Sequence, residues 1–260
     1  MAFTGLRFSS HLVAWPRLHQ GLAEAARLGF PACEVFADAV VPRLAAGQDV
    51  VCSVHDFDLE VSAVYLDGDP AGVAQVEAAA RAARDVESTR LVMTLRGGAG
   101  GDTSEVAMAV DGAAAASAAL GVQLSVHPQA GSALTSRQEI AALLAATDPD
   151  LVSLCLDTGQ VAGAGEDPLE VLRDAGPRLG VVHLADVRPG GAPCVFGDGI
   201  VDIGSLLDEL ADREFSGWVT VEMAGVADPT LAVAGCRDAL VRLGFWPPGG
   251  RPWRAVRDVA

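Results

Sequence analysis

The sequence predicts an α/β fold, a single (β/α)8 barrel that takes up residues 1–260. Short apolar runs typical of buried strands alternate with segments rich in Ala, Leu and Arg that have helical periodicity. Eight such pairs fit within 260 residues, which is the size of this barrel. A glycine-rich G-x-G-x-x-G turn follows none of the predicted strands, and this disfavours a doubly wound sheet.

The first four predicted strands are LRFSS (6–10), ACEVF (32–36), LEVSAVYL (59–66) and RLVMTL (90–95). The last four are VQLSVH (122–127), LVSLCL (151–156), GVVHL (180–184) and WVTVE (218–222). Each is a short run of β-branched or other apolar residues, as expected of a strand buried on both faces. Helices are predicted over 18–28, 40–54, 71–86, 103–120, 135–146, 167–175, 202–213 and 229–243. Residues 244–260 read as a C-terminal extension rather than a second domain.

The composition excludes several classes of function. The formal charge is −16, and the 18 basic residues are all arginines spread along the chain, so neither nucleic acid nor a membrane surface is an expected partner. The absence of lysine excludes Schiff-base enzymes and P-loop kinases. No apolar run is long enough to span a membrane and no secretory leader opens the chain, which predicts a cytoplasmic protein. The 5 scattered cysteines predict neither disulfides nor a thiolate zinc site.

Polar side chains gather where the predicted strands end, which is where barrels of this type place their chemistry. The last four strands each deliver an acid or an imidazole to that rim. Four convergent nitrogen and oxygen donors suit a divalent cation. The residues at or near strand ends are His11, Glu34, Arg96, His127, Asp157, His183, Asp186 and Glu222.

The order of LCLDTG, VVHLAD, GDGIVD and GWVTVE resembles the xylose isomerase-like barrel superfamily, which includes sugar isomerases and epimerases, inosose-processing enzymes and endonuclease IV. The resemblance implies one divalent metal ion, Mn²⁺, Zn²⁺, Mg²⁺ or Co²⁺. By position, its ligands fall on His127, Asp157, His183 and Glu222. An endonuclease-like three-metal cluster is not expected, because only 5 histidines are present.

The sequence departs from the family pattern at three positions. His127 stands where the family has a glutamate at the end of strand 5, and Gln129 stands where it often has a histidine. Gln160 replaces the histidine of a DTGH motif. Two imidazoles and two carboxylates would still form a sound site, and they favour Zn²⁺, Mn²⁺ or Fe²⁺ over Mg²⁺.

The resemblance implies an isomerase or epimerase that acts on a small sugar, an inosose or a related hydroxy-carbonyl compound through an enediolate-type intermediate. Glu222 and His127 are the expected proton-transfer pair. Because a metal-bound nitrogen cannot also act as a base, Glu34 or His11 could replace His127 in that role. The first alternative is a lyase on the same scaffold, similar to inosose or 3-dehydroshikimate dehydratases. The second is a diverged barrel whose metal site is altered or lost and which binds a small molecule without the family's chemistry.

The chain is expected to act on a small-molecule substrate, and a homodimer is the expected assembly if it is not a monomer. Substrate contacts are predicted from residues near the strand ends. The guanidinium of Arg188 suits an anion or vicinal hydroxyls. Tyr65 could form a wall of the pocket, the glycines in 194–199 are predicted to make turns, and His55 should lie at the opposite end of the barrel. The predicted substrate-binding residues are Arg188, Asp186, His11, Gln160, Arg96 and Trp15.

Overall fold

A computed structural model describes residues 5–96, 102–132 and 134–247 of the chain. It contains a closed barrel of eight parallel strands, which confirms the predicted fold. The strands are β1 (Arg7–His11), β2 (Ala32–Phe36), β3 (Glu60–Gly68), β4 (Arg90–Leu95), β5 (Gln123–His127), β6 (Val152–Asp157), β7 (Leu179–Leu184) and β10 (Trp218–Val221). Around the barrel they follow the order β1-β10-β7-β6-β5-β4-β3-β2. The barrel closes where β1 pairs with β10 on one side and β2 on the other.

Helices surround the barrel and connect its strands. They are α1 (Leu18–Arg27), α2 (Ala37–Ala45), α3 (Val50–His55), α4 (Val73–Asp85), α5 (Thr103–Ala118), α6 (Arg137–Ala146), α7 (Thr158–Gly163), α8 (Pro168–Ala175), α9 (Ile203–Asp212) and α10 (Pro229–Leu243). An antiparallel pair, β8 (Asp186–Val187) and β9 (Pro193–Cys194), follows β7.

The structure corrects two predicted elements. The predicted helix over 40–54 is two helices, because the chain turns between α2 and α3 at Gly47, which has φ +72°. The short helix α7 was not predicted. Its first turn is capped by Asp157, whose Oδ1 accepts the backbone N–H of Gln160 at 2.8 Å.

The core lies between the outer face of the barrel and the helices, and the barrel interior carries a second set of buried side chains. Small hydroxyl residues within it satisfy one another: Ser9 bonds Thr220 at 2.7 Å, and Ser125 bonds Ser153 at 2.8 Å. Buried polar groups paired in this way avoid the cost of an unmade hydrogen bond. The interior is therefore packed below the rim, and the space for a ligand lies above it.

The segment after α10 folds back on its own barrel. Trp246 is buried, with its ring centroid 5.0 Å from that of Phe30 and 5.7 Å from that of Phe8. The rest of the predicted extension, residues 248–260, lies outside the described residues. In the described parts of the chain, no helix is both long and apolar enough to cross a membrane.

Candidate active site

A cavity of about 520 Å³ opens at the carboxyl ends of the barrel strands. Its wall combines imidazole, carboxylate, amide and phenol groups with apolar side chains, which is typical of a site for a small polar molecule. The lining residues include His11, Phe36, Tyr65, Leu66, Asp67, Arg96, His127, Gln129, Gln160 and Glu222.

The structure brings the four predicted metal ligands together. One donor atom from each of His127, Asp157, His183 and Glu222 lies within 4.8 Å of the other three. Nε2 of His127 is 3.3 Å from Oδ2 of Asp157, and Nδ1 of His183 is 2.9 Å from Oε2 of Glu222. All four side chains come from the ends of β5, β6, β7 and β10.

Strand register explains this convergence. Asp157 and His183 are direct partners in the pairing of β6 with β7, so their side chains leave the rim side by side. One carboxylate oxygen of Asp157 is fixed by the N-cap of α7, and this leaves the other oxygen facing His127. Glu222 follows the last residue of β10, one position beyond the pair Val221 and Leu184.

The donor set fits a divalent cation. Nε2 of His127, Nδ1 of His183 and Oε2 of Glu222 are buried, yet none of them has a hydrogen-bond partner. Buried polar atoms are almost always paired, so three such atoms aimed at one point indicate a missing partner. The two carboxylates would neutralise a doubly charged ion, and two imidazoles with two carboxylates suit a borderline metal such as Zn²⁺ or Mn²⁺.

The electrostatics of the site also favour a bound cation. Burial would raise the pKa of Glu222, but the imidazoles of His11, His183 and His127 hold it well below its usual range. Burial would lower the pKa of His183, but Cys155, Glu34 and Glu222 raise it well above the ordinary value. The pocket therefore stabilises positive charge at this point.

Glu34 occupies a different place from the one predicted for a proton-transfer residue. It is fully buried and is not among the residues that line the cavity. Its Oε1 lies 3.0 Å from Nε2 of His183 and 3.3 Å from Nε2 of His11. Burial would raise its pKa, but His183 and His11 hold the pKa of Glu34 at about 2. The structure therefore places Glu34 behind the cavity wall, in contact with two imidazoles.

Three of the predicted substrate contacts do not line the cavity. Asp186 is fully buried and accepts the backbone N–H groups of Gly197, Gly199 and Val201 at 2.9, 3.0 and 3.0 Å. It anchors the loop after β9, and a Cβ at Gly199 would overlap its carboxylate, so this approach requires glycine. Arg188 is exposed on the β8–β9 hairpin.

Trp15 is the third of these residues. Its ring is buried, and its Nε1 donates to the hydroxyl of Thr230 at 3.2 Å. It borders a neighbouring surface pocket instead of the cavity. This aromatic residue near a strand end therefore packs against the start of α10.

The other three predicted contacts do line the cavity. His11 is the buried last residue of β1, and its ring centroid lies 5.0 Å from that of His183. Oε1 of Gln160 accepts the backbone N–H of Ala130 at 3.0 Å. The guanidinium of Arg96 is paired with the carboxylate of Asp67 through Nε and Nη2.

Sequence reasoning missed Thr94, which lies beneath the cavity. Its Oγ1 is 3.2 Å from Nδ1 of His127 and also bonds the hydroxyl of Tyr65. A threonine inside a buried strand carries no distinctive sequence signal, because β-branched residues are common there. His55 lies, as predicted, at the other end of the barrel, in a pocket bordered by the strand starts Arg7 and Trp218.

Comparison with known proteins gives curated relatives and solved structures. Over 130 residues the chain is 32% identical to an inosose dehydratase of Clostridium botulinum (strain Alaska E43 / Type E3), a match that covers 43% of each protein. Over 131 residues it is 34% identical to an inosose dehydratase of Geobacillus kaustophilus (strain HTA426), covering 44% of this chain and 42% of the relative. The matches thus span less than half the length of these relatives.

Two solved structures share the fold. The probable 3-DHS dehydratase AsbF of Bacillus anthracis superposes with a TM-score of 0.78 at 13% identity, covering 91% of this chain and 99% of the other. An L-ribulose 3-epimerase superposes with a TM-score of 0.74 at 19% identity, covering 92% of this chain and 94% of the other. The family model described as a xylose isomerase-like TIM barrel matches residues 22–239. That match extends over most of the barrel and includes all four convergent residues, so the chain belongs to the xylose isomerase-like TIM barrel family.

Proposed function

We propose that this protein is a metal-dependent dehydratase of a small polyhydroxylated ketone. The observation that carries the proposal is the convergence of His127, Asp157, His183 and Glu222 at the base of the cavity. Glu222 is the most exposed of the four, with 14% of its side chain accessible. A sugar-modifying enzyme on this scaffold is also what the relatives support.

His127, Asp157, His183 and Glu222 are the residues that would hold the ion. When bound, a divalent ion supplies Lewis-acid polarisation of the substrate carbonyl, which acidifies the neighbouring C–H bond. The remaining chemistry belongs to side chains of this protein.

Glu222 and His11 are the proton-transfer groups that the cavity offers. Glu222 is a carboxylate at neutral pH because the nearby imidazoles hold its pKa low, and it can accept the C–H proton. His11 lines the same cavity and can donate a proton to the β-hydroxyl as its C–O bond breaks, so that the hydroxyl leaves as water. The Glu222 proton then passes to solvent, and His11 takes up a new one.

The pairing of a carboxylate, Glu222, with an imidazole, His11, favours dehydration. Elimination needs one group that accepts a proton from carbon and another that gives a proton to the leaving oxygen, and a carboxylate with an imidazole fills these two roles. His127 is not a third candidate, because both of its ring nitrogens face protein groups, Asp157 and Thr94. The names of the curated relatives and of one structural neighbour, all dehydratases, support the same choice.

An isomerase or epimerase of the same class of compound is the second candidate. Its support is the same pair of groups, since after Glu222 has taken the C–H proton, His11 could donate its own proton to carbon instead of to the leaving oxygen, and the Glu222 proton would again pass to solvent. Both reactions begin with proton removal next to the carbonyl.

The two reactions are separated by the mass of the product. The metal-loaded protein is incubated in D2O with a panel of inososes and ketoses, and products are followed by mass spectrometry and by ultraviolet absorbance. A dehydratase gives a product that has lost one water and absorbs as an enone. An isomerase gives a product of the same formula with deuterium on carbon. Glu222→Gln is the control that should abolish either reaction, and a folded, metal-loaded protein that gives neither product contradicts the proposal.

A further inference from the structure

His127 is the ligand residue that departs from the family pattern, and it is surrounded by hydrogen-bonding groups of its own. Thr94, on the neighbouring strand β4, is its register partner in the pairing of β4 with β5. Oγ1 of Thr94 lies 3.2 Å from Nδ1 of His127. The same oxygen bonds the hydroxyl of Tyr65, which in turn donates to Oε1 of Gln129 at 3.4 Å.

Counting the available protons indicates which group donates each of these hydrogen bonds. When Tyr65 donates its single hydroxyl proton to Gln129, the bond between Tyr65 and Thr94 uses the hydroxyl proton of Thr94. The oxygen of Thr94 then has only lone pairs to offer His127. This arrangement matches a proton on Nδ1 of His127 that is donated to Thr94.

The other ring nitrogen supports this assignment independently. Nε2 of His127 is buried and has no hydrogen-bond partner, although Oδ2 of Asp157 is only 3.3 Å away. A nitrogen that carries a lone pair, and not a proton, would be expected in this position. It faces the donor atoms of Asp157 and His183, where a cation would take that lone pair.

We propose that Thr94, held by Tyr65, is a positioning residue that keeps the proton of His127 on Nδ1 and so makes Nε2 a ligand. A carboxylate at this position would bind a cation in either orientation, but an imidazole is a ligand only through the nitrogen that lacks a proton. The replacement of glutamate by histidine therefore requires an acceptor beside Nδ1, and Thr94 supplies it. This inference rests on the metal site of the proposed function.

The test compares zinc affinity among threonine variants, measured by competition with a chromophoric chelator. Thr94→Val keeps the shape and removes the acceptor, and it should weaken zinc binding about 10- to 100-fold, as is usual when a partner of a metal-bound histidine is lost. Thr94→Ser keeps the hydroxyl and should bind zinc like the unsubstituted protein. Tyr65→Phe frees the Thr94 hydroxyl to turn, and it should weaken binding less than Thr94→Val.

Thr220→Val is the matched control, because Thr220 is a fully buried barrel threonine whose hydroxyl bonds Ser9 and not a ligand residue. It should leave zinc affinity unchanged, and circular dichroism checks that each variant is folded. Nitrogen-15 NMR of the zinc-loaded protein should show the His127 proton on Nδ1 and the metal on Nε2.

The outcomes separate this inference from the proposed function. If the unsubstituted protein binds zinc and Thr94→Val binds it equally well, or if zinc lies on Nδ1 of His127, the inference is overturned and the proposed function stands. If the unsubstituted protein takes up no divalent ion, both are overturned.

Discussion

Nε2 of His183 lies 3.0 Å from Oε1 of Glu34, a carboxylate that is fully buried on the far strand β2. Because β2 and β7 are separated by β1 and β10 in the barrel, this contact crosses the barrel interior. It occupies one ring nitrogen of His183 and leaves the other facing Glu222. A carboxylate that fixes the outer nitrogen of a metal-bound histidine is a common feature of metal sites.

Removing either imidazole of the ligand group should abolish metal binding. We expect the protein purified without chelators to hold one divalent ion per chain, and His127→Ala and His183→Ala to hold none, because each removes a donor from a site with four. Elemental analysis by plasma mass spectrometry measures the content. His55→Ala, which removes an exposed imidazole at the opposite end of the barrel, should keep the ion. Full occupancy in His127→Ala would show that His127 is not a ligand.

Restoring the family's carboxylate should change the choice of metal. His127→Glu replaces a borderline nitrogen donor with a hard oxygen donor and adds a negative charge, so preference should shift from Zn²⁺ toward Mn²⁺ and Mg²⁺. Competition between these ions, followed by elemental analysis, measures the shift. The unsubstituted protein is the reference, and an unchanged order of preference would contradict a direct bond from His127.

Glu34 should make the metal-free protein sensitive to acid. Its pKa falls from the ordinary 4.5 to about 2, so its stabilising effect is complete above pH 4.5 and is lost as pH falls toward 2. This corresponds to about 3 kcal/mol as an upper bound. Urea unfolding at pH 5 and pH 3 should show a larger loss of unfolding free energy in the unsubstituted protein than in Glu34→Gln. Part of the loss should persist in the variant because Glu222 also has a lowered pKa. Equal losses in both would exclude this role of Glu34.

Asp186 should matter for stability rather than for substrate binding. Asp186→Ala leaves three backbone N–H groups of the following loop without an acceptor, and we expect it to lower the free energy of unfolding by about 2 to 4 kcal/mol. Urea denaturation measures this loss. Asp208→Ala, at an exposed position on α9, should change stability by less than about 0.5 kcal/mol. A stable Asp186→Ala protein with a raised KM would instead support the substrate contact predicted from sequence.

The barrel and the four residues that converge at its rim can be predicted from the amino-acid sequence. Eight apolar runs separated by amphipathic segments leave little choice of architecture, and residues at strand ends must share one rim because parallel strands all finish there. His127, Asp157, His183 and Glu222 were predicted in this way, and the structure brings them together. The replacement at His127 was also visible from the order of the motifs.

The contacts of the remaining polar residues depend on how the chain packs in three dimensions. Glu34, Asp186 and Trp15 lie near strand ends like true site residues, but the direction of each side chain depends on packing against distant parts of the chain: Glu34 turns to His183, and Trp15 to Thr230. The partner of His127 was equally hidden, because the pairing of β4 with β5 places Thr94 beside it across 33 residues of sequence. Periodicity and motifs report where a residue lies along a strand, whereas hydrogen-bond partners depend on register and on rotamers chosen by the packed neighbours.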